Sequence, residues 1–147
     1  MSRDLYKKSS KSLLKPDAID RADSFVVLLA TSELQISEEL NSTFKNTKIE
    51  VLNVNSTKDL ILAMTERQID LLIFDPNLNR LRGLEVLPVV KKLRPQVRVI
   101  VISEDMSFET REALVKEGVT YQLPKQMKPG QISQVITTVV RKLLSSN

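Results

Sequence analysis

Two residue types that carry much of protein chemistry are missing from this chain of 147 residues, which contains no cysteine and no histidine. Without cysteine there is no disulfide framework, thiolate metal site or cysteine nucleophile. Without histidine the chain lacks the usual general base, the commonest metal ligand and any phosphohistidine relay. These absences remove several classes of enzyme, and we expect the chain not to be an enzyme.

Long apolar runs are absent as well. No run approaches the ~20 residues that a membrane-spanning helix requires. The polar N-terminus also differs from a signal peptide, which has an apolar central region. The sequence therefore predicts a cytoplasmic protein without a membrane span. The length predicts one domain, which is large enough to bury a core without disulfides or structural metals.

The net charge of +4 is unevenly distributed. Met1 to Lys15 contains five basic residues and one acidic residue, Asp4, whereas the rest of the chain has equal numbers of both kinds. This argues against a nucleic-acid interface across the whole domain. We predict a basic, flexible N-terminal tail over residues 1–23 and a folded domain over residues 24–147. The alternative for the tail is a short helix that docks on a partner or on an acidic surface.

Apolar runs and helical patterns alternate five times in the predicted domain. Leu71 to Phe74 is apolar without alternation, which is typical of a strand buried on both faces of a parallel sheet. Ser32 and Gln35 have the spacing of a capping box, which predicts that Ser32 caps the first helix. The predicted strands cover residues 25–29, 48–54, 71–74, 97–102 and 120–123. Short right-handed crossovers then give an α/β fold with a doubly wound parallel sheet.

Polar side chains follow three of the predicted strands: Asp75, Ser103 and Lys125. In open α/β sheets the functional site lies just beyond the carboxyl ends of the strands. We therefore expect these three side chains at one edge of the sheet. Arg80 and Arg82 follow Asp75 closely and could bind an anion, although solvated surface charges are the simpler interpretation.

These residues resemble the receiver domain of two-component response regulators, over residues 25–144. Asp75 followed eight residues later by Gly83 is similar to the phosphoacceptor aspartate of that family and its glycine. Ser103 stands where the family has its switch serine or threonine. Gly118 lies seven residues before Lys125, as in the family.

The resemblance implies a flavodoxin-like (βα)5 fold with strand order 2-1-3-4-5 and phosphorylation at Asp75. It also implies that Ser103 and Lys125 contact the phosphoryl group and that Asn77 offers its backbone carbonyl to Mg²⁺. Partner contacts in the family are carried by the fourth helix, the fifth strand and the fifth helix. The outer face of the last helix is therefore a predicted interface, with Gln131, Gln134, Thr138 and Lys142.

Several departures from the family pattern are equally informative. Ala30 and Thr31 stand where the family has the acidic pair that holds Mg²⁺, and Gln122 stands where its switch aromatic is expected. Asn79 and Gln126 replace two of its prolines. Because Mg²⁺ prefers carboxylate oxygens in an octahedral array, loss of the pair should abolish tight metal binding. Phosphoryl transfer depends on that metal to offset developing charge.

We therefore interpret the chain as an atypical receiver, or pseudo-receiver, in which Asp75 pairs with Lys125 and no metal or cofactor is bound. Its partner would be a signalling protein, bound through the predicted interface and the tail; no DNA-binding domain is expected after Leu144. One alternative is a conventional receiver, phosphorylated at Asp75 by a histidine kinase with help from Mg²⁺. Glu33 could then be a metal ligand, although a solvated charge in the first helical turn is the simpler interpretation. Another alternative is a small-ligand-binding flavodoxin-like domain. The first strand–helix turn argues against it, because that turn lacks the glycines of a phosphate-binding loop.

Overall fold

Five strands form one parallel sheet in the computed structural model of the chain, which describes residues 25–78 and 83–145. The strands are β1 (Val26–Ala30), β2 (Glu50–Val54), β3 (Leu71–Phe74), β4 (Arg98–Ser103) and β5 (Tyr121–Pro124). Their order across the sheet is β2-β1-β3-β4-β5, and every neighbouring pair is parallel. The α/β fold, the flavodoxin-like topology and the strand order expected from the sequence are therefore confirmed.

Helices connect the strands in the order that the sequence pattern predicts. They are α1 (Leu34–Phe44), α2 (Thr57–Glu66), α3 (Val86–Leu93), α4 (Phe108–Lys116) and α5 (Gln131–Ser145). A 3₁₀ segment over Gly83–Glu85 leads directly into α3, which becomes α-helical at Val86. Pro88 is then the third residue of α3, where its missing N–H costs no intrahelical hydrogen bond.

The sheet is covered on both faces. Side chains of β1 alternate between two apolar clusters: Val27 and Leu29 pack with the buried sides of α1 and α5, whereas Leu28 and Ala30 pack with those of α2, α3 and α4. All four residues of β3 are buried, as expected for a central parallel strand. The carboxyl ends of the strands are thereby held in a fixed row at one edge.

The start of α1 differs from the prediction. The helix begins at Leu34 with Glu33 as N-cap, and no side-chain cap hydrogen bond is present, so the predicted capping box is wrong. The hydroxyl of Thr31 instead accepts the backbone N–H of Glu33 at 3.0 Å. That bond satisfies a free amide of the turn from outside the helix.

The opposite, amino edge of the sheet carries two tertiary polar anchors. Asp70 Oδ2 accepts the backbone N–H of Val26 at 2.7 Å. Burial raises the pKa of Asp70, and the hydrogen bond from Val26 offsets part of that rise. Arg94 Nε donates to the carbonyl of Met64 at 2.9 Å, and Arg94 Nη2 donates to that of Arg67 at 3.0 Å. These contacts satisfy carbonyls at the C-terminal end of α2.

Several predictions fall outside the described residues. The predicted tail, residues 1–23, lies there, and so do Asn79, Arg80 and Arg82. Within residues 25–78 and 83–145, none of the helices has the length and apolar character that crossing a bilayer demands.

Candidate functional site

Asp75 lies immediately after β3 and is only 2% exposed. Its backbone N–H donates to the carbonyl of Ala30 at 3.0 Å, which continues the register between β1 and β3 for one residue. Both carboxylate oxygens have donors: the backbone N–H of Asn77 lies 3.0 Å from Oδ1, and the hydroxyl of Thr31 lies 2.9 Å from Oδ2. The carboxylate is thus oriented by two hydrogen bonds from different segments.

Lys125 supplies the opposite charge. It follows β5, and its backbone N–H donates to the carbonyl of Ser103 at 3.0 Å. Its Nζ lies 2.9 Å from Asp75 Oδ2 and 3.5 Å from Glu33 Oε2. Nζ makes no hydrogen bond to the described residues, so the approach to Asp75 is that of an ion pair rather than of a directed hydrogen bond. The expected pairing of Asp75 with Lys125 is present in the structure.

Glu33 adds a second carboxylate at the mouth of the site. Its side chain is 49% exposed, against 9% for Lys125 and 2% for Asp75. The sequence favoured a solvated charge at this position, and half of the side chain is solvated. The sequence did not indicate the contact between Glu33 and Lys125. Through this contact Lys125 lies between a buried carboxylate, that of Asp75, and a half-exposed one, that of Glu33. Thr31, Glu33, Asp75 and Lys125 are called the edge cluster below.

The two residues at the acidic-pair positions have different environments. Ala30 is completely buried in the apolar cluster of α2, α3 and α4. Thr31 is 4% exposed and contacts Asp75 directly. Of the two predicted positions, only Thr31 therefore belongs to the edge cluster. The sequence treated Thr31 as a lost metal ligand and missed its role as a hydrogen-bond donor to Asp75.

Ser103 lies at the same edge of the sheet, but its hydroxyl is engaged in its own loop. It accepts the backbone N–H of Asp105 at 3.1 Å and approaches the carbonyl of the same residue at 3.2 Å. The carboxylate of Asp105 accepts the N–H of Ser107 at 2.9 Å and the hydroxyl of Thr110 at 2.7 Å. These hydrogen bonds, first that from the Ser107 amide, lower the pKa of Asp105. The loop before α4 is thus closed by its own side chains.

Gln122, which the family resemblance places at the switch-aromatic position, connects β5 to α4. Its Nε2 donates to the carbonyl of Arg111 at 3.1 Å. Its Oε1 is buried and has no hydrogen-bond partner among the described residues. An aromatic ring could not form this polar link between β5 and α4.

Comparisons with known proteins agree with this architecture. The family model of the response regulator receiver domain matches residues 27–137. The chain is 28% identical over 121 residues to the DNA-binding transcriptional regulator NtrC of Azospirillum brasilense, and 29% identical over 117 residues to NtrC of Bradyrhizobium sp. (strain RP501 Parasponia). These matches cover 82% and 80% of this chain but 24% of each relative, so the chain spans about a quarter of their length.

Solved structures show the same fold at low identity. A CheY-like receiver domain protein from Methanospirillum hungatei JF-1 has a TM-score of 0.68 and 18% identity, with 84% of this chain and 98% of that chain covered. The signal receiver domain of an HD domain-containing protein from Pseudomonas fluorescens Pf-5 has a TM-score of 0.70 and 16% identity, with 84% and 98% covered. A Burkholderia pseudomallei response regulator with a phosphorylated aspartic acid, a calcium ion and citrate has a TM-score of 0.69 and 16% identity, with 83% and 69% covered. Because the family model extends over most of the sequence and the strand order agrees with it, the chain belongs to the response regulator receiver domain family.

Proposed function

We propose that this chain is an atypical receiver domain that signals through protein contacts, without Mg²⁺-dependent phosphorylation of Asp75. The observation that carries the proposal is the occupation of Asp75. Oδ1 accepts the amide of Asn77, and Oδ2 faces both the hydroxyl of Thr31 and the ammonium of Lys125. A nucleophilic oxygen must come within roughly 3–3.5 Å of the atom it attacks. Here the approach to Oδ2 requires two existing contacts to break.

The donor set does not fit Mg²⁺, which takes oxygen ligands in near-octahedral geometry. Within residues 25–78 and 83–145, no group of three or more acidic residues could hold a metal ion. Asp75 is accompanied by a neutral hydroxyl from Thr31, and the Nζ of Lys125 lies 2.9 Å from Asp75 Oδ2. A dication bound to that oxygen would face an ammonium group at short range. The positive charge that a metal would supply is already provided by Lys125.

One observation favours the conventional alternative, in which a histidine kinase supplies a phosphoryl group to Asp75. Asp75 and Lys125 meet at the carboxyl edge of the sheet, where the family carries its phosphoacceptor and its lysine. Lys125 would then turn from Asp75 toward the phosphoryl group. The alternative requires a metal, and it therefore makes an opposite prediction for Mg²⁺. A small-ligand-binding module receives no support from membership of the receiver family.

For the protein contact we propose the surface formed by α4, β5 and α5. Four polar side chains on the outer face of α5 are exposed: Gln131, Gln134, Thr138 and Lys142. Beside them, a groove between α4 and β5 has Phe108 and Val115 on its rim. These side chains are 64% and 66% exposed. Apolar side chains this exposed are a common mark of protein interaction sites.

The decisive experiment measures thermal unfolding with and without millimolar Mg²⁺, in the native chain and in Thr31→Asp. A ligand that binds only the folded state raises its melting temperature by mass action. We expect no Mg²⁺-specific rise in the native chain. Thr31→Asp places a second carboxylate beside Asp75, so this variant should be destabilised without metal and should recover stability in Mg²⁺. Thr31→Asn, which has similar size and no charge, is the matched control and should not respond.

Intact mass after incubation with a small phosphoryl donor and Mg²⁺ completes the test. We expect no covalent phosphate on the native chain. A rise in melting temperature with Mg²⁺ that a monovalent salt of matched ionic strength does not reproduce, together with phosphate bound at Asp75, would overturn the proposal and establish the conventional receiver.

A further inference from the structure

The amino edge of the sheet is the basic side of the domain. This edge comprises the loops that lead into the strands, the first residue of each strand and the last turn of each helix. Six of its basic side chains are exposed: Lys45, Lys48, Lys92, Arg98, Lys116 and Lys142. Among the described residues of this edge, Glu66 is the one exposed acidic residue. The amino edge therefore presents a surface of net positive charge.

Two other acidic side chains of the amino edge are engaged within the domain. The side chain of Glu50 is 7% exposed, and its Oε1 lies 2.8 Å from Arg67 Nη2. Asp70 Oδ2 accepts the backbone N–H of Val26 at 2.7 Å. These carboxylates balance charge inside the edge rather than at its outer surface.

Helix ends account for only part of this charge distribution. Lys92, Lys116 and Lys142 lie in the last turns of α3, α4 and α5, where the helix dipole favours a cation. Lys48 lies in a loop and Arg98 is the first residue of β4, so the dipole does not explain them. The positive charge of the edge is therefore greater than helix stability alone requires.

The basic segment over residues 1–15 joins the domain at this same edge. The chain enters β1 through Phe25, which lines a cavity of the amino edge together with Arg94 and Arg98. Residues 16–24 form the connection, and nine extended residues reach about 30 Å. Five neighbouring strands at about 4.8 Å spacing make the sheet only about 19 Å wide. The segment can therefore share one surface with the whole amino edge.

Residues 1–15 also have the sequence pattern of a basic amphipathic helix. At about 100° per residue, the larger apolar residues fall in one half of the helical circumference and four of the five basic residues fall in the other. The apolar residues are Leu5, Tyr6, Leu13 and Leu14, and the four basic ones are Lys7, Lys8, Lys11 and Lys15. Pro16 follows directly, where such a helix would end. This pattern is typical of helices that lie in the interface of a lipid bilayer.

We propose that residues 1–15 and the amino edge together bind an anionic lipid surface. The apolar half of the segment lies in the bilayer interface as a helix, and the exposed cations of the edge face the headgroups. A nucleic acid has the same charge, but it offers no apolar interior for Leu5 and Leu13. In this orientation Asp75 and Lys125, at the carboxyl edge, face away from the membrane. The contact goes beyond the proposed function, since it depends neither on metal nor on the phosphorylation state of Asp75.

Co-sedimentation of the full chain with lipid vesicles tests this contact. We expect binding to vesicles of phosphatidylcholine and phosphatidylglycerol in equal parts, and no binding to vesicles of phosphatidylcholine alone. Far-UV circular dichroism should show a gain of helix with the anionic vesicles only. Salt at about 1 M should weaken the binding, because the Debye length falls to about 3 Å.

Charge reversal at exposed lysines tests whether the domain itself contributes. Lys48→Glu with Lys92→Glu, on the amino edge, should weaken binding by a factor of roughly 10 or more, because each basic residue near an anionic surface strengthens binding about fivefold. Lys58→Glu with Lys128→Glu makes the same charge change at exposed positions of the carboxyl edge. This matched control should have a much smaller effect.

A second pair of changes tests the apolar half of the segment. Leu5→Ser with Leu13→Ser retains every charge, and it should abolish the gain of helix and most of the binding. Thermal unfolding of each variant without vesicles shows whether the fold is retained.

Three results would overturn the proposal. Absence of binding to the anionic vesicles would exclude a lipid surface. Equal losses in the two charge-reversed variants would show that net charge acts rather than the amino edge. Full binding by the leucine variant, with equally tight binding of a nucleic-acid duplex at the same salt, would assign the surface to nucleic acid. None of these measurements involves Mg²⁺ or Asp75, so the proposed function is tested separately.

Discussion

Replacing Lys125 by methionine tests whether the edge cluster is a structural ion pair. The change keeps most of the side-chain volume and removes the charge that lies 2.9 Å from Asp75 Oδ2. Two unit charges at that separation attract by about 6 kcal/mol at an effective dielectric near 20, before desolvation. Breaking a buried pair by removing one partner costs roughly 3–5 kcal/mol. Thr31 and Asn77 still donate to the carboxylate, so we expect the lower end, about 3 kcal/mol.

The opposite change should cost less. In Asp75→Asn, Lys125 retains Glu33 at 3.5 Å. The amide oxygen of the asparagine can still accept the Asn77 N–H, and its NH2 group can donate to the Thr31 hydroxyl, with the direction of that hydrogen bond reversed. The double variant should be more stable than the sum of the two single changes predicts. Residues in direct contact show coupling energies of roughly 0.5–3 kcal/mol. A large positive coupling is therefore the signature of a structural pair.

Urea denaturation of the four chains measures these energies directly. For a chain of this size, about 3 kcal/mol corresponds to a fall in the melting temperature of roughly 6–12 °C. Lys128→Met, at an exposed lysine in the following loop, is the matched control and should stay within about 0.5 kcal/mol of the native chain. If Lys125→Met costs less than about 1 kcal/mol and the two changes are additive, the pair does not stabilise the fold and the reasoning is refuted.

Two further predictions concern the amino edge of the sheet. Asp70 has a folded-state pKa above its usual value, so the native state binds the extra proton, and its stability should fall as pH rises from about 4 through the folded-state pKa. Urea denaturation at pH 4.5 and at pH 7 measures the free energy of unfolding of the native chain and of Asp70→Asn. We expect the native chain to be more stable relative to Asp70→Asn at pH 4.5 than at pH 7, and the same difference at both pH values would contradict this. Arg94→Met removes two donors from the C-terminal carbonyls of α2 and should cost about 2 kcal/mol, while Lys92→Met on the same helix should cost little. If Arg94→Met and Lys92→Met lower the free energy of unfolding equally, Arg94 does not act through these carbonyls.

The fold could be predicted from the sequence because each of its elements has its own local signal. The apolar run Leu71–Phe74 without alternation identified a strand buried on both faces, and its bounds agree with the structure. Ser56 and Ser107 cap α2 and α4 through their side chains, and Gly118 has the positive φ of +82° that ends α4. The other strand limits shifted by one or two residues, since ladder hydrogen bonds rather than side-chain types decide where a strand ends.

The site was predictable only in part, for a reason that Thr31 illustrates. The position of a residue at a strand end follows from the sequence, so Asp75 and Lys125 could be brought to one edge. The hydrogen-bond partners of a hydroxyl group, in contrast, do not follow from the sequence. Ser32 and Gln35 offered a capping pattern, but Thr31 accepted the amide of Glu33 and donated to Asp75 instead. Local patterns compete with tertiary partners that sequence spacing does not reveal.

That same hydrogen-bond geometry explains how Asp75 can remain buried in the folded domain. A carboxylate that is 2% exposed is costly unless it is paired and hydrogen-bonded. In this chain Asp75 receives a cation from Lys125 and donors from Thr31 and Asn77, all of which are always present in the folded protein. Because these partners all lie within the domain, the burial of Asp75 needs no ligand from outside the folded chain.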